Sequence, residues 1–571
     1  MTSCGASVLA VVLLAVVLFG AVLGRAPFDD PGEGMHAEIA HEILATGDWI
    51  TLHLNGIRYF DKPPLLYWLA ATAAKTWGER EWSARLAPFV GTLAAVAATA
   101  YLGARLLSPI AGLIAGVALL TCPGFVAYAI YLRPETLFVA AIHWGLALLL
   151  IPGRPRFARA LLGGFALGAA AMVKDPLGCV GPLGAIGIAR LVGPPRRDRL
   201  AAPLVGVLAP IVLAAAWYLI VETRNHGFLW YTIVDNHLLN AARARHFPDE
   251  DVPLGSMEFL LVAGLGAMPW IVPALATIVS LARRRAWRRE DEQPWVALTV
   301  WSAAVFVGFT LSPFKLPHYG LPAYPGIALL AARWWTTAGR QRTVLAVHIG
   351  IFVAIAIAMT VMTMSGGQVL LGRVVEATDV YTRKEAVWGQ APAFPPWAAL
   401  RPIVLTTALV FGAGALALAI AFWRDRRRVA IVITAATMLG FTPMITRAML
   451  LVAESRSVRG LARELAARAG PDDVIVHEGP IENSGALELY GGRRPVLVDG
   501  RTSVLGFGGT FADAAETFWE RSRLIATWRG PARVWLVTIR QPAQSVVATV
   551  PPPTVFLILA ENGRWLYSNR P

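Results

Sequence analysis

Cysteine and acid are both scarce in this chain: 3 of its 571 residues are cysteine, and Asp and Glu number 37 against 51 Lys and Arg. Cys4, Cys122 and Cys179 cannot all pair, and two of them stand in apolar runs, so no disulfide framework or zinc cluster is indicated. Charge of either sign is sparse, at 15% of residues, while 56% are hydrophobic and the mean hydropathy is +0.55. That composition excludes a soluble enzyme and points to an integral membrane protein. Lysine is the rarest cation, five of the 51, at positions 62, 75, 174, 315 and 384. Met1 to Gly24 has no positively charged start and no small-residue cleavage site, so it reads as a retained first helix.

A helix needs about 20 apolar residues to cross the hydrocarbon core. Thirteen candidate spans satisfy or approach this. The first seven are Ser7–Gly24, Arg85–Leu106, Pro109–Ala127, Glu135–Ile151, Ala158–Val173, Pro176–Val192 and Ala201–Val221. The rest are Met257–Leu281, Trp295–Leu311, His318–Arg333, Thr343–Met364, Pro402–Trp423 and Val429–Val452.

Charge orients them, because short cytoplasmic loops collect Lys and Arg. With the N-terminus inside, the inner connections hold Arg105; Arg154, Arg156 and Arg159; Arg196, Arg197 and Arg199; Arg283, Arg284, Arg285, Arg288 and Arg289; Arg340 and Arg342; and Arg424, Arg426, Arg427 and Arg428. The long polar connections, 25–84, 222–256, 365–401 and the C-terminal tail, then share the opposite face. The net charge of +14 is a signal of topology and of attraction to anionic lipid, and no nucleic-acid partner is expected.

Three of the five lysines stand beside or near proline at the outer ends of spans: Lys62-Pro63-Pro64, Lys174-Asp175-Pro176 and Lys315-Leu316-Pro317. Snorkelling explains one such lysine. Three on rigid backbone point to a phosphate-bearing ligand at the outer boundary. Acids accompany them. Asp29, Asp30 and Glu33 precede the run Met35 to Leu44, which places Ile39 and Ile43 on one face and Glu38 and Glu42 on another, and reads as an amphipathic helix in the outer interface. Capping of that helix is the plainer role for Asp30 or Glu33. Glu135 follows Arg133-Pro134 at the mouth of a span, where an ion pair with Arg133 is the plainer reading. His237 and His318 rank below these acids. Asp30, Glu33 and His36 are the residues that a divalent metal, if one is used, would find nearest together in sequence.

The run Glu33, Ala37-Glu38-Ile39-Ala40, Gly47-Asp48-Trp49, Leu54-Asn55-Gly56 and Tyr59-Phe60-Asp61-Lys62-Pro63-Pro64-Leu65-Leu66-Tyr67-Trp68 resembles the first outer loop of the bacterial aminoarabinose transferase and protein O-mannosyltransferase superfamily, of GT-C type. Arg133-Pro134-Glu135, Lys174-Asp175-Pro176, Trp217-Tyr218, Asn236-His237, Met268-Pro269-Trp270 and Lys315-Leu316-Pro317-His318-Tyr319 follow in the superfamily's order, so the likeness covers Arg25 to Leu330. Two departures stand out: Gly32 occupies the place of an expected Asp, and the arginine expected soon after His237 is displaced to Arg243 or Arg245.

The resemblance implies a polytopic α-helical fold of GT-C type, which with the spans gives a membrane domain over 1–452, including the outer loop 25–84; the change of pattern after 457 adds a small α/β domain over 457–571, on the periplasmic side of a bacterial inner membrane. The resemblance also implies a glycosyltransferase using an undecaprenyl-phosphate-linked sugar and a lipid or protein acceptor, with a protein O-mannosyltransferase as one variant. Glu33 or Asp30 would then be the catalytic acid with Glu135 in support. Lys62, Arg243, Tyr319 and Lys315 would bind the donor phosphate, and Tyr59, Asp61, Arg133, Lys174 and His237 would assist. The rival class is a transporter or lipid-linked-sugar flippase. It is disfavoured because charge gathers at the ends of spans and no inverted repeat is visible.

After residue 457 apolar runs shorten to strand length: Val474–His477, Pro495–Val498, Val534–Val537 and Val555–Ile558, with helices expected over Arg459–Ala469 and Ala512–Trp528.

Overall fold

The structure is a computed structural model and describes residues 3–153, 156–194, 201–337, 342–388, 393–550 and 554–571. Arg154, Arg196, Arg197, Arg199 and Arg340, used above to orient the spans, lie outside these residues. The protein is mostly helical, with a helical body and a polar cap made by the 25–84 loop and a C-terminal sheet.

Among the described residues, seven helices are long and apolar enough to cross a membrane: Ser3–Val22, Glu81–Leu106, Leu204–Arg224, Glu290–Leu311, Arg342–Met364, Trp397–Trp423 and Arg427–Arg468. The expected span Met257–Leu281 is two helices, Ser256–Gly266 and Ile271–Arg283, meeting at 103°. Pro269 lies in the break, where it has no amide hydrogen to continue a helical ladder. Pro109–Leu120, Glu135–Leu150, Phe157–Val173 and Leu177–Val192 are apolar but shorter. The expected span His318–Arg333 divides likewise, into a 3₁₀ segment Pro317–Ala323 and a helix Tyr324–Thr337.

Small residues let these helices approach closely. A β-carbon at Gly112 would lie 2.4 Å from the Ala100 carbonyl oxygen, and one at Gly91 would lie 2.5 Å from the Leu137 amide nitrogen. Outward, the body presents Val17, Leu191, Leu311 and Trp423, each at least 74% exposed. Apolar side chains displayed this fully are at home against lipid tails.

The first helix, α1 (Ser3–Phe19), leads into the cap, where α2 (Gly34–Thr46), the hairpin β1 (Leu52–Leu54) and β2 (Ile57–Tyr59), and α3 (Leu65–Trp77) precede the long α4 (Glu81–Leu106). The C-terminal strands are β3 (Val474–Glu478), β4 (Val496–Val498), β5 (Phe518–Trp519), β6 (Val534–Thr538), β7 (Phe556–Glu561) and β8 (Arg564–Ser568). They form one sheet in the order β5-β4-β3-β6-β8-β7, with β3 to β6 parallel and the last two strands antiparallel. Alternation along β6 serves both faces: Trp535 and Val537 pack with Leu461 and Leu465, while Val534 and Leu536 pack with Leu524 and Trp528. The expected helix Ala512–Trp528 forms only from Arg521. Phe518 and Trp519, aromatic and suited to a pleated edge, pair with β4 instead.

The expected amphipathic helix forms as α2, yet it does not lie on a membrane surface. Ile39, Ile43, Glu38 and Glu42 are all about fully buried, because the C-terminal module covers the polar face. One apolar core joins Ile39, Leu54 and Tyr59 of the first loop to Ile481, Leu497 and Phe518 of the sheet module.

Candidate active site

Three acids sit in the turn before α2, and the fold gives them three different tasks. Asp29 caps the turn: its Oδ1 accepts from the Glu33 amide at 3.0 Å, and its Oδ2 accepts from the Tyr131 hydroxyl at 2.7 Å. Asp30 accepts from the amides of Val458 at 3.0 Å and Ala486 at 3.0 Å, which ties the loop to the sheet module. Glu33 is gripped by Arg85 through Nε at 2.9 Å and Nη2 at 2.5 Å, and also accepts from the Leu132 amide at 2.8 Å. Both oxygens of all three acids are thus engaged. Burial, reinforced by the Glu33 charge, pushes the Asp29 carboxyl up to about 7, and Asp30 is raised by burial to about 6. Gly32 explains how Asp29 reaches its place: a β-carbon there would lie 1.6 Å from the Tyr131 hydroxyl oxygen and 2.8 Å from Asp29 Oδ1.

Beneath the cap, Glu135 at the start of its helix gathers three cationic or basic groups. Lys174 Nζ lies 3.3 Å from its carboxylate, His318 Nε2 3.3 Å and Arg133 Nε 3.6 Å. The Lys174 ammonium also lies 5.0 Å from the Tyr319 ring centre and 5.6 Å from that of Phe138. Burial holds it below the usual lysine range, against the pull of Glu135.

Lys62 and Asp61 form a second pair at 2.5 Å, and Lys62 is the more accessible of the charged groups here, its side chain 23% exposed. Burial would raise the Asp61 carboxyl, but Lys62 and Arg245 hold it below the usual range. His36 joins the two clusters. Its Nδ1 lies 2.9 Å from the Tyr67 hydroxyl, which donates to the Tyr59 hydroxyl at 3.3 Å. Burial lowers the imidazole to about 3, with Arg133 and Lys62 acting in the same direction, so His36 is neutral. Several polar atoms in this region are buried without a hydrogen-bond partner: His36 Nε2, Arg133 Nε, Glu135 Oε2, His318 Nδ1 and Arg245 Nε. Native interiors pair such atoms, so their concentration in one place marks a ligand site.

Other expected residues fall elsewhere. Lys315 is buried and donates to Ser256 Oγ at 2.8 Å and to the Thr310 carbonyl at 2.9 Å, a tie within the body. Arg243 is exposed on a left-handed turn, with φ of 57°. Arg245 turns inward instead, to Asn236 Oδ1 at 2.6 Å and Asp249 at 3.1 Å, and it is the arginine whose charge Asp61 feels. His237 Nδ1 lies 2.6 Å from the Thr232 carbonyl within its own π-helical segment Trp230–Leu239. Asp30, Glu33 and His36 have separate partners and do not converge as metal ligands. The described carboxylates that converge are Glu38, Glu42 and Glu488.

The sequence reading missed the 365–401 segment. Its Tyr381 hydroxyl meets Arg133, its Asp379 pairs with Arg456 at 2.7 Å, and its Lys384 pairs with Glu250 at 3.2 Å. Lys384, one of so few lysines, was the available signal.

Residues 61–221 match the family model described as dolichyl-phosphate-mannose-protein mannosyltransferase. The undecaprenyl phosphate-alpha-4-amino-4-deoxy-L-arabinose arabinosyl transferase of Pseudomonas aeruginosa (strain LESB58) is 28% identical over 309 residues, which is 52% of this chain and 54% of that protein. The protein of the same description from Aeromonas salmonicida (strain A449) is 26% identical over 54% of this chain and 56% of its own. The chain spans about half the length of the curated relatives it matches. Two crystal structures of ArnT from Cupriavidus metallidurans, one bound to undecaprenyl phosphate and one in the apo state, share the fold with a TM-score of 0.76. They are 21% and 23% identical and cover 98% of this chain and 98% and 97% of theirs. The matched segment is similar to that family, and the fold is shared almost end to end with the two ArnT structures.

Proposed function

We propose that this protein is a membrane glycosyltransferase that moves a sugar from a polyprenyl-phosphate donor to an envelope acceptor, lipid A foremost, on the periplasmic face of the bacterial inner membrane. The observation that carries this reading is the concentration of cations and of buried polar atoms without a hydrogen bond around Lys62, His36, Arg133 and Glu135. An anionic ligand with several oxygens accepts from the donors of this set, Arg133 Nε and Arg245 Nε, and the names of the relatives support undecaprenyl phosphate as its lipid part.

In the reaction the bond between the sugar anomeric carbon and the phosphate oxygen breaks, and its electron pair leaves with the lipid phosphate. Charge grows on that phosphate, and fixed cations in a partly dry site stabilise it. Lys62, the more accessible cation, takes this role, with Arg245 and Tyr319 at its side. An acceptor hydroxyl forms the new bond from the opposite face and gives its proton to a carboxylate. Asp29 takes that role, since its carboxyl is raised to about 7 and its Oδ2 is held by the Tyr131 hydroxyl, whereas Glu33 is locked to Arg85 and Asp30 to the Val458 and Ala486 amides. If the acceptor is itself a phosphate, no proton need be taken and Asp29 only orients it. Glu135 holds Arg133 and Lys174 in position. One displacement inverts the anomeric centre.

The test is purified protein with radiolabelled undecaprenyl-phosphate sugar and lipid A. Label on the acceptor, lost in Lys62→Ala, supports the reading. Movement of intact lipid-linked sugar across liposomes without bond cleavage overturns it in favour of a carrier.

A further inference from the structure

Glu38 and Glu42 are separated by one helical turn on α2, so their side chains share a face, and Glu488 of the short helix Leu487–Gly491 meets them from the sheet module. One carboxylate oxygen from each lies within 4.8 Å of the others. The glutamates of α2 are held in the same way. Glu38 accepts from the Leu489 amide at 2.8 Å and Glu42 from the Gly56 amide at 2.8 Å, each through one oxygen. The second oxygen of Glu38, Oε1, is buried without a hydrogen-bond donor, the second oxygen of Glu42, Oε2, has only an ion pair with Arg494 at 3.4 Å, and both residues are 1% exposed. Arg494 is the cation at hand, 2.9 Å from Glu488 and 3.4 Å from Glu42, and its side chain is 42% exposed. Three carboxylates thus face one guanidinium.

We infer that Glu38, Glu42 and Glu488 bind one hard divalent cation, calcium in preference to magnesium, which fastens α2 to the sheet module. Oxygens bound to a single calcium ion at about 2.3–2.6 Å stand at most about 5 Å apart, and these three already meet that condition. The donor set is all oxygen, with no thiolate or imidazole to favour zinc. Burial and like charge push the Glu38 carboxyl far above its ordinary range and raise Glu42 to about 7, a strain that a cation relieves. The site stands apart from the groups around Lys62 and does not depend on the transfer reaction.

The experiment uses the full chain in detergent, stripped with EDTA and titrated with calcium chloride by calorimetry, with melting followed in parallel. One calcium ion per chain is expected, with a rise in melting temperature that is lost in Glu38→Gln and in Glu488→Gln and binding weakened at least tenfold. Glu488 is only partly buried, so its variant retains the fold, and the calcium-induced shift within each variant is independent of its basal stability. No saturable calcium binding, or binding unchanged in Glu488→Gln, overturns the assignment.

Discussion

Arg85 grips Glu33 with both arms of one guanidinium, Nε to Oε1 at 2.9 Å and Nη2 to Oε2 at 2.5 Å, in a setting where neither residue is more than 3% exposed. Arg85 also donates to the carbonyls of Leu23, Ala26 and Pro27, so the pair sets the path of the chain from α1 into the cap. Removing one partner leaves a buried charge alone, at a cost of about 3–5 kcal/mol. Glu33→Gln and Arg85→Met should therefore lower the melting temperature markedly, and Glu33→Met with Arg85→Met should recover part of the loss. Unaltered melting of Glu33→Gln together with abolished turnover would return Glu33 to the role of base.

Asp29→Asn should leave the fold standing and reduce transfer to a hydroxyl acceptor by about 10²–10⁴-fold. With the Asp29 carboxyl raised to about 7, the proton-accepting form grows as pH rises through 7. Turnover of the native protein should rise over that interval and that of Asp29→Asn should be flat. The stability sign is opposite. A carboxyl raised in the fold above its ordinary 3.8 favours the fold when protonated, so its contribution is full below about 4 and is lost as pH climbs towards 7. Asp29→Asn should remove that decline in a melting series.

Lys62 and Lys315 separate chemistry from architecture. Lys62→Ala should cost about 10²–10³-fold in turnover with little change in melting, as expected for a cation that acts on developing charge. Lys315→Met removes two hydrogen bonds while Ser256 Oγ still donates to the Thr310 carbonyl, costing about 1 kcal/mol of stability, and turnover per folded molecule stays within a few-fold of normal. The reverse pattern in steady-state kinetics and melting would exchange their roles.

Arg564 donates to the Arg456 carbonyl at 2.7 Å and to the carbonyl oxygens of Asn483 and Asp30, all buried. Arg564→Met should loosen the sheet module from the first loop, read as faster limited proteolysis after residue 457. Equal protection in variant and native protein would sink this.

Much of this was legible in the residues. The Phe-Asp-Lys-Pro-Pro run announced the cap, and strand-length runs announced β3, β4, β6 and β7, because apolar period and proline are local signals. Helix α2 was legible as a helix but not as a buried one, since what covers Glu38 is a module over 400 residues away. The choice among Asp29, Asp30 and Glu33 was equally closed to sequence: it depends on Arg85, Val458, Ala486 and Tyr131, each brought in by packing. Arg243 stands on a left-handed turn and is exposed, while Arg245, two residues on, is near enough to lower Asp61 by its charge.

The contacts of Asp30 join points 428, 456 and 534 residues apart along the chain. During synthesis the first loop is made long before Val458, Ala486 and Arg564 are translated, and its acids must wait without their partners. The cap therefore stays incomplete until the last strand has been made, and its closure is timed by the ribosome's arrival at the far end of the message.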